Sequence, residues 1–309
     1  MIPAAYKKVT KLMGNQFELT VVATLPEWAE ERMEEAIREI RRIEAVFTTF
    51  RDDSETNRIN RQAGIAPVEV SEEMIRLIER SIRISCITQG AFDITYGSID
   101  KRLWNFDQQM DRLPSRRQAR RLVRLINYRH IEINHEARTV FLKEKGMRIG
   151  FGGIAKGYAA EKAKQCMIQS GVTSGIVNAS GDLAAWGTQP DGKPWTIGIV
   201  HPDYKNYPFA YLEITDRAVA TSGNYEKFVM IGGKKYSHTI DPRTGLPVTG
   251  IKSVTIISPN AELSDALATP VTILGVEAGL DLVNQLRDIA CVIIDDRNRI
   301  YTSHNIHLQ

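Results

Sequence analysis

The chain has 309 residues, 43% of them hydrophobic and 25% charged, with 22 glycines and 12 prolines scattered along its length. That composition can bury a substantial core, and it excludes disordered, fibrous and collagen-like classes. A formal net charge of +3 provides no general field that would select nucleic acid or an anionic membrane surface.

The first element expected is a strand over Phe17–Leu25. Apolar residues then recur at helical spacing from Pro26 to Phe50, with Trp28, Met33, Ile37, Ile40, Ile43 and Val46 along one side, predicting a long amphipathic helix. A second helix is predicted from Glu72 to Gln89, after the capping residue Ser71. Gly90–Gly97 (GAFDITYG) reads as a glycine-bounded turn too short for an element, in which Asp93 needs a reason. The arginine-rich stretch from Ser115 to His130 has an apolar stripe of Ala119, Leu122, Val123 and Ile126. It is a solvated surface helix, and no nucleic-acid partner is expected.

From Arg129 the pattern becomes strand-rich: a hairpin, then a strand reaching Phe151, then the glycine turn GGIAKG at Gly152–Gly157 and a helix over Ala155–Ser170. Short strands follow in TSGIVNAS, PWTIGIVHP, FAYLEIT, AVATS, KFVMIG, KKYSHTI and KSVTIIS, then two helices around Glu262–Leu274 and Val276–Leu286 and a last hairpin. The implied architecture is α+β, with helices packed on mixed, largely antiparallel sheets in one domain spanning 1–309.

Cys86, Cys166 and Cys291 lie far apart in apolar text without metal spacing, so buried free thiols are expected. No apolar run is long enough for a transmembrane segment, and MIPAAYKKVTKLMG has neither an apolar signal core nor a lipid-accepting cysteine. The expectation is a cytoplasmic protein, or a periplasmic or membrane-anchored one if a signal was trimmed.

The glycine turn is the densest chemical signal. Unpaired N–H groups at a helix start, glycines that admit a ligand to the backbone and the Lys156 ammonium together suit an anion, above all a phosphate. A P-loop is excluded because Gly157 stands where its Ser or Thr belongs and Ala155 where a glycine belongs. From Gly150, GFGGIA has the form of a dinucleotide-binding turn, but no acidic residue closes a strand about twenty positions on. The alternative is that the glycines serve close helix–strand packing alone.

Four polar segments punctuate the C-terminal half: NASGD (Asn178–Asp182), TSGNYE (from Thr221), YSHTIDPRTG (Tyr236–Gly245) and SDALAT (Ser264–Thr269). Asp265 and Thr269 are four apart on a predicted helix, so carboxylate and hydroxyl share a face and suit a hard cation such as magnesium. The competing reading is a helix-capping aspartate and a threonine bonded back to its own helix. His238 stands at a strand end beside the DPRTG turn, where an imidazole can act as a general base or simply bond a turn carbonyl.

In this order, MGNQFELTV, FTTFRDDSETNRIN, GAFDITYGSIDKRLW, GGIAKGYAAEKA, IVNASGDLAAWG, TSGNYEKF, YSHTIDPRTGLPV and SDALATPVTILG resemble the ApbE family. These are flavin transferases that use FAD to attach FMN covalently to a threonine of an acceptor flavoprotein. The resemblance covers nearly the whole chain and implies FAD between two lobes, contacted at Met13, Phe50, Ala91, Phe92, Asp93, Lys156 and the backbone around Ile240. It also implies Mg2+ on Asp265, Thr269 and the Gly153 carbonyl; for the phosphoryl transfer this entails, His238 is the candidate base for the acceptor hydroxyl. Phe50 is aromatic, as in members that transfer FMN; members that hydrolyse FAD to FMN and AMP carry a smaller polar side chain there. The chain departs from the family pattern at Gly150, where an aspartate is common, at Pro270 after the metal threonine, and at Asn15. The alternatives are a magnesium-dependent FAD pyrophosphatase and a non-catalytic FAD-binding protein.

Overall fold

The computed structural model describes residues 2–99, 112–200, 208–223 and 228–306. Of the segments singled out above, 100–104, 201–202 and 224–227 lie outside the described residues.

β1 (Ala4–Leu12) and β2 (Asn15–Ala23) form a hairpin closed by Met13 and Gly14, with φ of 51° and 73°. Two successive positive φ values are those of the tight turn whose twist matches its strands. α1 (Pro26–Phe47) opens on a proline, whose missing N–H costs nothing in the first turn, and buries Met33, Ile37, Ile40 and Ile43. It stops three residues short of the expected Phe50: Thr48 turns extended, and the Phe50 N–H bonds to the Thr48 Oγ1 at 3.1 Å. An unanticipated helix follows, α2 (Glu55–Arg61), capped by Ser54 and too short to show periodicity. After β3 (Val68–Glu69) comes α3 (Glu72–Ile87), begun by Ser71 as expected. In the Gly90–Gly97 region, expected to be a turn too short for an element, Ile94–Ser98 form a short 3₁₀ helix. The arginine-rich segment is helical only over α4 (Arg116–Leu122), with Ala119 and Leu122 buried and its arginines exposed.

β4 (Ile131–Asn134) and β5 (Thr139–Leu142) make the expected hairpin, with β3 added at its edge. The strand expected to run on to Phe151 does not form a ladder. Its backbone is satisfied otherwise: Asn60 donates to the Ile149 carbonyl at 3.0 Å and accepts its N–H at 2.7 Å, and the Gly150 N–H bonds to the Ile94 carbonyl at 2.9 Å. One side-chain amide thus imitates a neighbouring strand.

Then come α5 (Ala155–Gln169), β6 (Gly175–Ala179), β7 (Asp182–Trp186), β8 (Trp195–Val200), β9 (Pro208–Ile214), β10 (Ala218–Gly223), β11 (Phe228–Ile231), β12 (Lys234–Ser237) and β13 (Ile251–Ser258). α6 (Ala261–Leu274), α7 (Val276–Asn284), β14 (Ala290–Asp295) and β15 (Ile300–Thr302) complete the chain. The main sheet has eight strands in the order β1-β2-β6-β7-β10-β13-β14-β15. Among the described residues every ladder is antiparallel, so the mixed component of the expected sheet is not seen.

α1, α5 and α6 cover one face of this sheet and the β8–β9 hairpin covers the other. β7 shows why both are needed. Its Ala184 points into the helical core while Leu183 and Ala185 point into the hairpin, the two-residue period of a strand buried on both sides. Of the cysteines, only Cys291 is buried; Cys166 is partly covered and Cys86 is exposed, contrary to expectation, because it sits on the outer side of α3. Among the described residues no helix is long and apolar enough to cross a membrane.

Candidate active site

The glycine turn enters α5 without a side-chain cap of its own, since its N-cap residue is Ile154. The cap comes from α6: Asp265 Oδ2 accepts the Gly157 N–H at 2.9 Å. The service is returned, because Glu161 of α5 accepts the N–H of Ala261, the first residue of α6, at 3.1 Å. The helices therefore run antiparallel and cap one another. Their approach depends on Gly157, where a Cβ would lie 2.2 Å from the Ala261 carbonyl and 2.7 Å from the Asp265 Cβ. Part of the anion expected at this helix start is thus an internal carboxylate.

Lys156, one residue earlier, forms an ion pair with Asp182 at the start of β7. Asp182 reaches that position from the two-residue β6–β7 turn, where Ser180 and Gly181 both have positive φ. Burial lowers the Lys156 pKa, but the charges of Asp182 and Asp265 outweigh it and hold the ammonium above its usual value. Burial also raises Asp182, against the pull of Lys156. Burial, with the Asp182 charge added, pushes the Asp265 carboxyl up to about 7, against Lys156 and the Gly157 N–H. Two carboxylates share one ammonium in a place poor in water, an imbalance that a bound cation relieves.

All three side chains line a cleft of 730 Å³ that also takes in Gly153, Thr269, Phe50, Ala91, Phe92, Asp93, His238 and Ile240. α6 presents Asp265 and Thr269 to it one turn apart. Carboxylate, hydroxyl and the Gly153 backbone line one cleft, and their oxygens are of the hard kind that could hold magnesium. Pro270 sits inside α6 without ending the helix, which continues to Leu274.

Also lining the cleft, Asp93 receives the Thr95 N–H at 2.8 Å, the Thr95 hydroxyl at 2.6 Å and the Tyr128 N–H at 2.8 Å. Burial nonetheless raises its pKa against those bonds. Its reason is now visible: it caps the 3₁₀ turn and ties it to the segment after α4. Tyr96 lines the cleft beside it, its hydroxyl pushed up to about 12 by burial against a hydrogen bond from the Ile240 backbone. His238 follows β12 at the cleft surface. Asp241, close to it in sequence, is engaged elsewhere, gripping Arg243 through both carboxylate oxygens at 2.9 Å. The turn they shape is locked on α4 at Gly245, φ 72°, where a Cβ would lie 2.3 Å from the Ala119 carbonyl.

Phe50 is 97% exposed at the rim, on a loop whose Thr49 and Arg51 carbonyls both accept from Asn57 at 2.9 Å. The expected contact residues are therefore gathered with one exception: Met13 sits in the β1–β2 turn, half-buried, and is not among the residues lining the cleft. Sequence reasoning left out Asp182, Tyr96 and Arg148. The NASGD turn was the available signal for Asp182. At Gly150 the absence of an aspartate is not forced by space, because a Cβ there would have Thr49 Cγ2 as its nearest neighbour at an ordinary 3.7 Å.

The family model of the ApbE family matches residues 13–293. The chain belongs to the ApbE family. Among curated ApbE relatives, the FAD:protein FMN transferase of Salmonella typhimurium is 30% identical over 289 residues, covering 92% of this chain and 82% of the relative. That of Treponema pallidum is also 30% identical, over 89% of this chain and 80% of the relative. The crystal structure of the ApbE protein of Thermotoga maritima superposes with a TM-score of 0.85 at 29% identity, covering 97% of each chain. The flavin transferase ApbE of Vibrio cholerae does so with a TM-score of 0.84 at 26% identity and 98% coverage of each. That enzyme has also been solved with a histidine replaced by glycine. The ApbE architecture therefore extends over essentially the whole chain.

Proposed function

We propose that this protein transfers FMN from FAD to a threonine hydroxyl of an acceptor flavoprotein, with Mg2+ bound, and releases AMP. The observation that carries the reading is the single cleft in which His238, the Lys156–Asp182 pair and the oxygens of Asp265, Thr269 and Gly153 converge. Membership of a family whose curated relatives bear the transferase name supports it.

The acceptor oxygen would form a bond to the FMN-side phosphorus as the bond from that phosphorus to the bridging oxygen breaks, the bridging oxygen leaving with AMP. His238, at the open side of the cleft, receives the hydroxyl proton on an imidazole nitrogen. Lys156 stays protonated between Asp182 and Asp265 and contributes a fixed positive charge near the diphosphate. Asp265, Thr269 and the Gly153 carbonyl would hold Mg2+, which when bound offsets negative charge on the diphosphate. The Phe50 ring, held at the rim by its pinned loop, provides an apolar plate for the isoalloxazine.

Incubation with FAD, magnesium chloride and an acceptor flavoprotein, followed by denaturing electrophoresis with in-gel flavin fluorescence, tests the reading. A fluorescent acceptor band is the expected result. AMP and free FMN without a labelled band would make the protein a pyrophosphatase. Bound FAD with neither would make it a non-catalytic binder, the reading that Gly150 favours.

A further inference from the structure

We infer that Arg148 is the phosphate-binding cation of the cleft, the side chain by which the protein holds diphosphate-bearing flavin in preference to flavin without phosphate. The inference rests on the proposed use of FAD and names a recognition element within it.

Arg148 and Gly150 both line the cleft, Arg148 exposed, while the Ile149 side chain between them is buried although it too borders the cleft. Gly150, beside it, contributes no side chain that would cover the guanidinium. Among the described residues no carboxylate pairs with Arg148. The contrast with the other charges here is sharp. Lys156 is engaged by Asp182, and Arg243, on the DPRTG turn, is engaged by Asp241.

The main chain beneath Arg148 is fixed at both polar groups. Its N–H donates to the Ser98 Oγ at 2.8 Å, and the Ser98 hydroxyl donates to its carbonyl at 3.1 Å. Gly97 lies so near that a Cβ there would be 2.9 Å from the same carbonyl, and Asn60 clamps the next residue from the other side. A long cationic side chain on a fixed base, exposed at a cleft and with no carboxylate partner among the described residues, suits a ligand that brings its own negative charge. The planar guanidinium matches two phosphate oxygens at once, which an ammonium does not.

The test is equilibrium binding of FAD, FMN and riboflavin, read by flavin fluorescence, to the wild-type protein, Arg148→Gln and Arg148→Lys at low and moderate salt. Arg148→Gln is expected to weaken FAD about tenfold and to leave riboflavin within about twofold. Arg148→Lys recovers only part of the loss, and the salt dependence of FAD binding shrinks in Arg148→Gln. Unchanged FAD affinity in Arg148→Gln, or an equal loss for riboflavin, overturns the assignment; a defect confined to the KM for the acceptor would move the arginine to the acceptor's side. Failure of the wild-type protein to bind any flavin would remove the proposed function itself, an outcome distinct from failure of Arg148 alone.

Discussion

Gly157 and Asp265 meet through one hydrogen bond and one absent methyl group: the glycine N–H lies 2.9 Å from the Asp265 Oδ2, and a Cβ on the glycine would lie 2.7 Å from that of the aspartate. The contact that caps α5 is also the contact that aims Asp265 into the cleft. Gly157→Ala must therefore separate α5 from α6. The expected outcome is a loss of about 2–3 kcal/mol in stability, read by urea or thermal unfolding, accompanied by weaker magnesium binding.

Asp265→Asn separates the two duties of that side chain. The amide oxygen still accepts the Gly157 N–H, while the repulsion between Asp265 and Asp182 disappears. The metal-free variant is expected to melt no lower than metal-free wild type, to gain nothing from added magnesium chloride and to lose flavin transfer. A melting temperature that rises with magnesium as in wild type would remove Asp265 from the metal site.

The Lys156–Asp182 pair is the buried charge contact of the cleft, with side-chain exposures of 28% and 4%. Lys156→Met leaves Asp182 and Asp265 facing one another without a cation, and a loss of about 3 kcal/mol is expected. Lys156→Met combined with Asp182→Asn should be more stable than Lys156→Met alone. A double-mutant cycle on unfolding free energies checks this.

The acid limb of stability should carry the signature of Glu73. Burial raises its pKa, but Arg42, at 2.7 Å, and the Tyr158 hydroxyl, at 2.6 Å, outweigh burial and hold it below the usual glutamate value. A carboxyl whose pKa is depressed on folding stabilises fully above its unfolded pKa and loses that contribution as pH falls through its folded pKa. Unfolding measured from neutral pH downward should thus show wild type losing stability below the ordinary glutamate value of 4.5. Glu73→Gln should lose less over the same window.

His238→Ala is expected to reduce transfer by about a hundredfold or more while leaving FAD affinity near wild type. Single-turnover assays with in-gel fluorescence separate the two quantities. Normal flavinylation by this variant would exclude His238 as the base.

Much of this was readable in advance where periodicity or capping chemistry is local. α1 and α3 announced themselves through apolar spacing and, for α3, through Ser71, whereas α5 was placed by the glycine turn before it. The shared face of Asp265 and Thr269 followed from helical geometry alone. What escaped was what depends on distant partners. The extended run at Ile149 looks like a strand, yet its hydrogen bonds go to Asn60, 89 residues away. Asp182 looked like one member of a turn, and only the fold of the sheet brings it to Lys156. Gly157 looked like a ligand-facing glycine, whereas its missing side chain makes room for a second helix.

The cleft collects residues from Thr49 to Ile273, contributed by the loop after α1, the 3₁₀ turn, the glycine turn, β10 and α6. A site assembled from such remote positions closes long loops and therefore forms late in folding. A ligand that occupied it would touch the loop after α1, the glycine turn and α6 together, tying remote parts of the chain to one another. Nucleotide and metal would then act as structural cross-links as well as reactants, slowing unfolding of the molecule as a whole.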